Sequence, residues 1–329
     1  MRLGLWTPLP HVIRPEPDIT RALEELGTPG QGESVDRSFA FALAAVQRAE
    51  QLGFDITLIA ERFIARDLAA WVTSSALAAL TSKIQIMTAA HPGIIPPQAM
   101  AKMATSLDRL SGGRCVVNLV PGNRPEEFNL YGNRAWLEDQ SRRYDRMQEY
   151  ITVMKQMWSG ERFDFAGEFY NVEQGQMAQR SLRQPLPLYA AANGDKGKGI
   201  IARECDLYFV SHPPGLANYE TNVVKVAEDI ADLRRRAAEH GRELGFGIST
   251  QVLCAPTDAG AEEMAAELER QSGSNVAARA LGAGLVGSPH RIAKRIKRYE
   301  EIGITCVMLQ FHPTMEGLET FAREVMPLL

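Results

Sequence analysis

Two periods of apolar residues alternate along this chain. Short runs that fit buried strands are followed by stretches at i, i+3, i+4 and i+7 that fit helices. Lys83 to Ala89 alternates and then turns small, as a buried strand does, and His91-Pro92-Gly93 ends it. Pro96 and Pro97 open a helix, where a missing N–H costs nothing. From Gln98 to Leu110 that helix places Ala99, Met100, Met103, Ala104, Leu107 and Leu110 at helical spacing, and Ser111-Gly112-Gly113 stops it. Arg114 to Val120 is the next strand. It carries Asn118 near its end and runs into Pro121-Gly122-Asn123-Arg124.

The same reading extends over the whole chain. Strands are predicted at Arg2–Trp6, Phe54–Ala60, Pro187–Ala192, Asp206–Val210, Phe246–Cys254 and Thr305–Phe311, besides the central two. Helices are predicted at Ser38–Leu52, Ala69–Thr81, Gln140–Trp158, from Asn193 onward, and at Asn218–Glu243, Asp258–Gln271, Pro289–Ile302 and Glu316–Leu329. Thr7 to Asp36 has no period and reads as a long loop, disordered or a lid. Pro125 to Asp139 reads as a polar, aromatic loop, and Ser272 to Gly284 as a Gly/Ala-rich link. Arg162 to Val172 reads as a hairpin outside the barrel, Phe163-Asp164-Phe165 paired with Phe169-Tyr170. Strands alternating with helices, with no repeated linker, predict an α/β fold: one (β/α)8 TIM barrel over residues 1–329, with loop insertions at its C-terminal face.

Composition narrows the function classes. The chain of 329 residues is 45% hydrophobic and has a net charge of −4, which favours neither nucleic acid nor an anionic membrane. Arg234-Arg235-Arg236 sits on a predicted helix and reads as a solvated face. Cys115, Cys205, Cys254 and Cys306 form no CxxC pair and read as buried reduced thiols. With no apolar leader and no apolar run of membrane length, these thiols predict a soluble cytoplasmic protein.

A barrel's active face is where its strands end. Those ends carry Glu61, His91, Asn118, His212 and His312, and the three histidines each precede a proline. His-Pro pairs also serve as plain turn chemistry, so each has a bland reading as well. No HxH or HxxxH spacing occurs, and no metal is expected. Asn193-Gly194-Asp195-Lys196-Gly197 joins a strand to a helix start, which suits an anion. Ser141-Arg142-Arg143-Tyr144 opens another helix and adds cations and hydroxyls, or serves only as a cap with surface arginines. GxSxG, a Walker loop and GxGxxG after a strand are absent, which points to a cofactor that carries the chemistry.

Three motifs carry a resemblance: Met100-Ala101-Lys102-Met103-Ala104-Thr105-Ser106-Leu107-Asp108-Arg109-Leu110-Ser111-Gly112-Gly113-Arg114, then Val117-Asn118-Leu119-Val120-Pro121-Gly122, then Ser141-Arg142-Arg143-Tyr144. With Leu285-Val286-Gly287-Ser288-Pro289 before the penultimate helix, the chain resembles the bacterial luciferase-like, flavin-dependent monooxygenases over nearly its whole length. Its layout is most similar to the two-component alkanesulfonate, dimethylsulfone and pyrimidine-ring enzymes. The resemblance implies a barrel, reduced FMN from a separate NAD(P)H-dependent flavin reductase, O2 activated on that flavin, a small-molecule substrate and a homodimer or homotetramer. It maps Asn118 beside the flavin and Glu127, or Glu126 by a register slip, nearby. It maps Arg143 and Tyr144 near the phosphate and completes the phosphate site with Asn193 and Gly194. His91 and His212 are then candidates for moving protons or binding substrate.

Departures matter for substrate. Where sulfonate enzymes have arginine and histidine in strand seven, this chain has Ser249 and Gln251, and Asp67 stands about where a cysteine follows strand two. The insertion before the penultimate helix is shortened to Gln271–Gly284, which leaves Pro8–Asp36 as the lid candidate. Rival readings are a deazaflavin (F420)-dependent oxidoreductase of the same superfamily, a flavin-binding protein without turnover, and a metal-dependent barrel hydrolase.

Overall fold

The computed structural model describes residues 1–10, 36–65, 67–132, 135–210, 218–272 and 276–329. Its main-sheet strands are β1 (Arg2–Trp6), β2 (Ile56–Ile59), β3 (Gln85–Ala90), β4 (Cys115–Leu119), β7 (Leu188–Ala190), β8 (Leu207–Val210), β9 (Gly245–Cys254), β10 (Val286–Gly287) and β11 (Cys306–Phe311). They pair in the order β10-β9-β11-β1-β2-β3-β4-β7-β8, and β9 also pairs with β8. With helices between the strands, this is the (β/α)8 barrel, and the β10 pair is an addition to it. Among the described residues no helix is long and apolar enough to cross a membrane. The lid candidate falls at residues 11–35, outside the described residues apart from its ends, and His212 lies outside them too.

The chain divides into two compact units. The first holds residues 1–58, 209–232 and 245–329. Its β1 lies parallel to β11, with Leu3 beside Val307 and Leu5 beside Leu309. Helix α1 (Arg37–Leu52) starts where the Asp36 carboxylate accepts the Phe39 N–H. It ends at Gly53, whose φ of +91° suits glycine. Phe41, Ala42, Ala45, Val46 and Ala49 form its buried stripe.

The last third of the chain corrects the sequence reading in three places. Residues 272–284 are not a plain link. They contain a helix, Val276–Ala283, and Ala280 packs with Leu253, Ala261, Ala265, Leu268 and Val286. Small residues hid this helix because alanine marks both faces alike. The final helix begins at Thr314 rather than Glu316, and after Thr320 it widens into a π turn over Phe321–Val325. The helix read as Asn218–Glu243 runs over Tyr219–Ala238, where the Arg242 N–H returns to the Ala237 carbonyl past Gly241 at φ +65°.

The second unit holds residues 59–208 and 233–244. It contains α2 (Ala70–Leu80), α3 (Pro97–Leu110), α4 (Pro125–Asn129), α5 (Gln140–Ser159) and α6 (Asp195–Glu204). In its sheet Asn118 of β4 lies between Ala89 of β3 and Tyr189 of β7. The loop expected at Pro125–Asp139 instead opens with α4, because Pro125 takes the first helical position, two glutamates fill the first turn and Phe128 is buried. A separate antiparallel hairpin pairs β5 (Phe163–Ala166) with β6 (Asn171–Gly175). Phe169 and Tyr170 are not its second strand. The Glu149 carboxylate on α5 accepts the N–H groups of Glu168, Phe169 and Tyr170, and this turns the segment onto the helix.

Cys115, Cys205 and Cys306 are buried free thiols, whereas Cys254 is only partly buried. Of the basic triplet, Arg234 and Arg235 are exposed, but Arg236 is partly buried and pairs with Asp195 at 2.9 Å.

Candidate active site

Within the second unit, the segments that follow β2, β3, β4 and β7 bring most of the predicted residues together. Glu61 follows β2 and is buried. Its Oε2 accepts the Ala70 N–H at 2.9 Å and its Oε1 accepts the Arg62 N–H at 3.0 Å. The Ala69 cap has no side chain for that task, so Glu61 satisfies the start of α2. Burial raises its pKa, and the two backbone bonds oppose the rise.

The two adjacent glutamates of α4 separate cleanly. Glu127 is buried, and its carboxylate meets the Arg62 guanidinium at 3.9 Å. Glu126 is exposed and pairs with Arg124. Residue 127 is therefore the inward one.

His91 follows β3 and is 5% exposed. Its ring meets Phe63 edge-on at 5.4 Å and Phe128 at 6.1 Å. Phe63 continues to Tyr131 and Phe128 to Trp136. Nδ1 of His91 is buried with no partner among the described residues. Burial, aided by Arg62, lowers its pKa to about 3. This bears on the two expected roles, moving protons or binding substrate. A neutral imidazole at physiological pH can accept or donate a hydrogen bond, but it is a poor proton carrier there.

This shift has a stability consequence. Between about 3 and the ordinary 6.5 the unfolded chain binds a proton at His91 that the folded chain refuses. That contribution weakens the fold as pH drops through the window. Glu61 has the opposite sign, because a raised carboxylate pKa contributes stability that is lost as pH rises. Comparison with His91→Gln isolates the histidine. The melting temperature of the wild type should fall more between pH 7 and pH 5 than that of the variant, and equal slopes would show that His91 accepts its proton in the fold.

Asn118 is the one half-buried residue of β4, and its amide makes no hydrogen bond to a described residue. Arg143 and Tyr144 are neighbours on α5 that serve different elements. The Tyr144 hydroxyl donates to the Asn193 carbonyl at 3.0 Å and accepts the Asn193 N–H at 2.8 Å. Its ring occupies space that a Cβ on Gly197 would enter, at 2.6 Å. Arg143 instead donates to the carbonyls of Leu137 and Glu138, at 2.6 and 3.1 Å, and stacks over Trp136 at 4.3 Å. Gly194 caps α6 with φ +82°, and open space surrounds its missing Cβ. Lys196 is drawn away to Ser141 and Asp145 on α5.

Sequence reasoning missed Phe63, Phe128, Tyr131, Trp136 and Arg146. The available signal was Pro125-Glu126-Glu127-Phe128, a helix start with an aromatic in its first turns. In the first unit, Gln251 donates to Gln310 at 3.2 Å, and His312 follows β11. Among the described residues no three His, Cys, Asp or Glu side chains are grouped to hold a metal ion.

Together, an unspent amide, a neutral imidazole, aromatic walls and a glycine-opened helix start can receive a flat ligand that ends in an anion. Solved structures share the fold. Riboflavin lyase, crystallised with modified FMN and riboflavin, is 16% identical over 100% of this chain and 91% of its own, with a TM-score of 0.79. EDTA monooxygenase from Chelativorans sp. BNC1 is 17% identical over 100% of this chain and 93% of its own, with a TM-score of 0.77. The coenzyme F420-dependent tetrahydromethanopterin reductase of Methanopyrus kandleri is 18% identical over 87% of this chain and 94% of its own, with a TM-score of 0.67. The family model described as luciferase-like monooxygenase matches residues 20–306, and the chain belongs to that family.

Proposed function

We propose that this protein is a flavin-dependent monooxygenase. It takes reduced FMN from a separate NAD(P)H-dependent flavin reductase and uses O2 to oxygenate a small organic substrate. The observation that carries this reading is the combination of the Asn118 amide near the end of β4, without a partner among the described residues, with the opened start of α6 at Gly194. The residues fit the cofactor: a ring system needs a polar contact at the strand ends, and a phosphate needs backbone N–H groups at a helix start. Membership of the luciferase-like family supports the oxygenase class.

Each side chain then has a task. Gly194 and the first turn of α6 hold the phosphate, and Tyr144 fixes the backbone that presents them. Asn118 orients the ring. When bound, the reduced flavin supplies the two electrons that let one oxygen atom enter substrate and the other leave as water. His91 holds a ligand group through its unpartnered Nδ1 without taking a proton, and Phe63 and Phe128 beside it exclude water. We include a homodimer or homotetramer in this reading. The helix α2, largely apolar yet leaving Val72 and Leu80 exposed, supports it.

Anaerobic titration with reduced FMN and with reduced F420 is the deciding test. Preferential binding of reduced FMN, followed by reductase-coupled O2 uptake that rises with substrate, is expected. Preference for F420 with hydride transfer and no O2 use would replace this reading with the oxidoreductase one.

A further inference from the structure

Two arginines on one face of α5 have no counter-ion among the described residues. Arg143 and Arg146 lie three residues apart, so they share a face, whereas Tyr144 is turned about 100° away toward Asn193. Arg143 is 9% exposed and Arg146 is 4% exposed. Each spends Nη1 on backbone carbonyls of the same short segment, Arg143 on Leu137 and Glu138, Arg146 on Ala135 at 2.6 Å. Each also faces an aromatic ring, Trp136 at 4.3 Å for Arg143 and Phe128 at 5.6 Å for Arg146. Nε of Arg143, and Nε and Nη2 of Arg146, are buried with no partner among the described residues. No described carboxylate pairs with either guanidinium. Burial lowers the Arg146 pKa, the phenol of Tyr170 opposes that shift, and Arg143, a like charge, adds to it.

The surrounding backbone accommodates this arrangement. Gly93, in the turn after His91, has φ +101°, and a Cβ there would occupy the place of the Arg146 guanidinium. Backbone carbonyls and aromatic faces lessen the cost of two buried like charges but do not neutralise them. A group that carries negative charge and several acceptor oxygens would do so, and guanidinium forks match such oxyanions.

We propose that Arg143 and Arg146 form a receptor for a small oxyanion, of the phosphoryl, sulfonyl or carboxylate type, carried by the ligand of this site. The pair faces away from Tyr144 and Gly194, which hold the flavin phosphate in the reading above. The oxyanion is therefore assigned to the substrate, and this assignment rests on that reading. The receptor itself does not.

The test uses the full chain, with inorganic sulfate and inorganic phosphate as probes and sodium chloride at matched ionic strength as control. Thermal melting and the fluorescence of Trp136, read against Trp136→Phe, report binding. Wild type should melt several degrees higher in sulfate or phosphate than in chloride. Arg146→Met should lose that protection. Arg146→Gln, which keeps a donor for Ala135, should lose it too and guards against a variant that simply fails to fold. Equal melting in all three salts, or protection retained in both variants, overturns the receptor. The source of the oxyanion is read separately, from the ratio of FMN to riboflavin affinity in wild type and Arg146→Gln. An unchanged ratio assigns the receptor to substrate, and a ratio that falls tenfold moves it to the flavin phosphate. Salt protection with no flavin bound by either protein would sink the flavin reading and leave the receptor standing.

Discussion

Arg114→Met should destabilise the fold by about 3–5 kcal/mol, the largest stability effect expected of any single change outside the candidate site. Arg114 opens the strand segment after α3 and is buried. Its guanidinium donates to the carbonyls of Ala78 (2.8 Å), Thr81 (3.1 Å) and Ile84 (3.0 Å), to the Thr81 hydroxyl (2.9 Å) and to the Ser111 carbonyl (2.6 Å). Ala78 is in the last turn of α2, and Ser111 is the C-terminal cap of α3. One cation therefore satisfies the carbonyl ends of two helices, where unpaired carbonyls and the negative end of the helix dipole both call for it. Methionine fills the volume but leaves buried acceptors without donors. Lysine restores the charge with a single ammonium and should recover only part of the loss. Urea unfolding of wild type, Arg114→Met and Arg114→Lys checks this, and a midpoint shift worth less than about 1 kcal/mol in the methionine variant would refute the clamp.

The second large effect concerns cofactor affinity. Tyr144→Phe removes one oxygen and with it both bonds to the Asn193 backbone, while the ring still packs against Gly197. Asn193 immediately precedes Gly194, the cap of α6, so the helix start should lose its fixed position. Reduced FMN should bind about 10- to 100-fold more weakly, or roughly 1.4 to 2.8 kcal/mol. Riboflavin, which lacks the phosphate, should change much less. Anaerobic titrations of both flavins provide the check. An equal loss for the two would mean that Tyr144 acts through the ring environment, and no loss would remove it from the phosphate site. Tyr144 is a positioning residue in this account, because its hydroxyl is already committed to the chain.

The alternation of strand and helix periods was legible because a buried parallel strand needs a continuous apolar run and a covering helix needs a stripe, and both survive as linear spacing. The barrel followed from that alternation, and the family motifs from Met100 to Tyr144 could be matched residue by residue. Pro96 and Pro97 at the start of α3 and Ser111-Gly112-Gly113 at its end were local chemistry of the same kind. Spacing failed where residues were small or the turn was short, as at Val276–Ala283 and Pro125–Asn129.

What only the folded chain decided is which neighbour faces inward and in what state of charge. Glu126 and Glu127 are alike in sequence, but one is in solvent and the other meets Arg62. Arg143 and Tyr144 were read as one phosphate-binding pair, but a rotation of about 100° per residue sends one to the 135–138 segment and the other to Asn193. His91 was read as a group for moving protons or binding substrate, and its burial beside Phe63 and Phe128 holds it neutral, a state the sequence did not show. Periodicity is a property of the chain, so it can be read along the chain. Desolvation and the direction of a side chain depend on residues distant in sequence, and they exist only once those residues have packed.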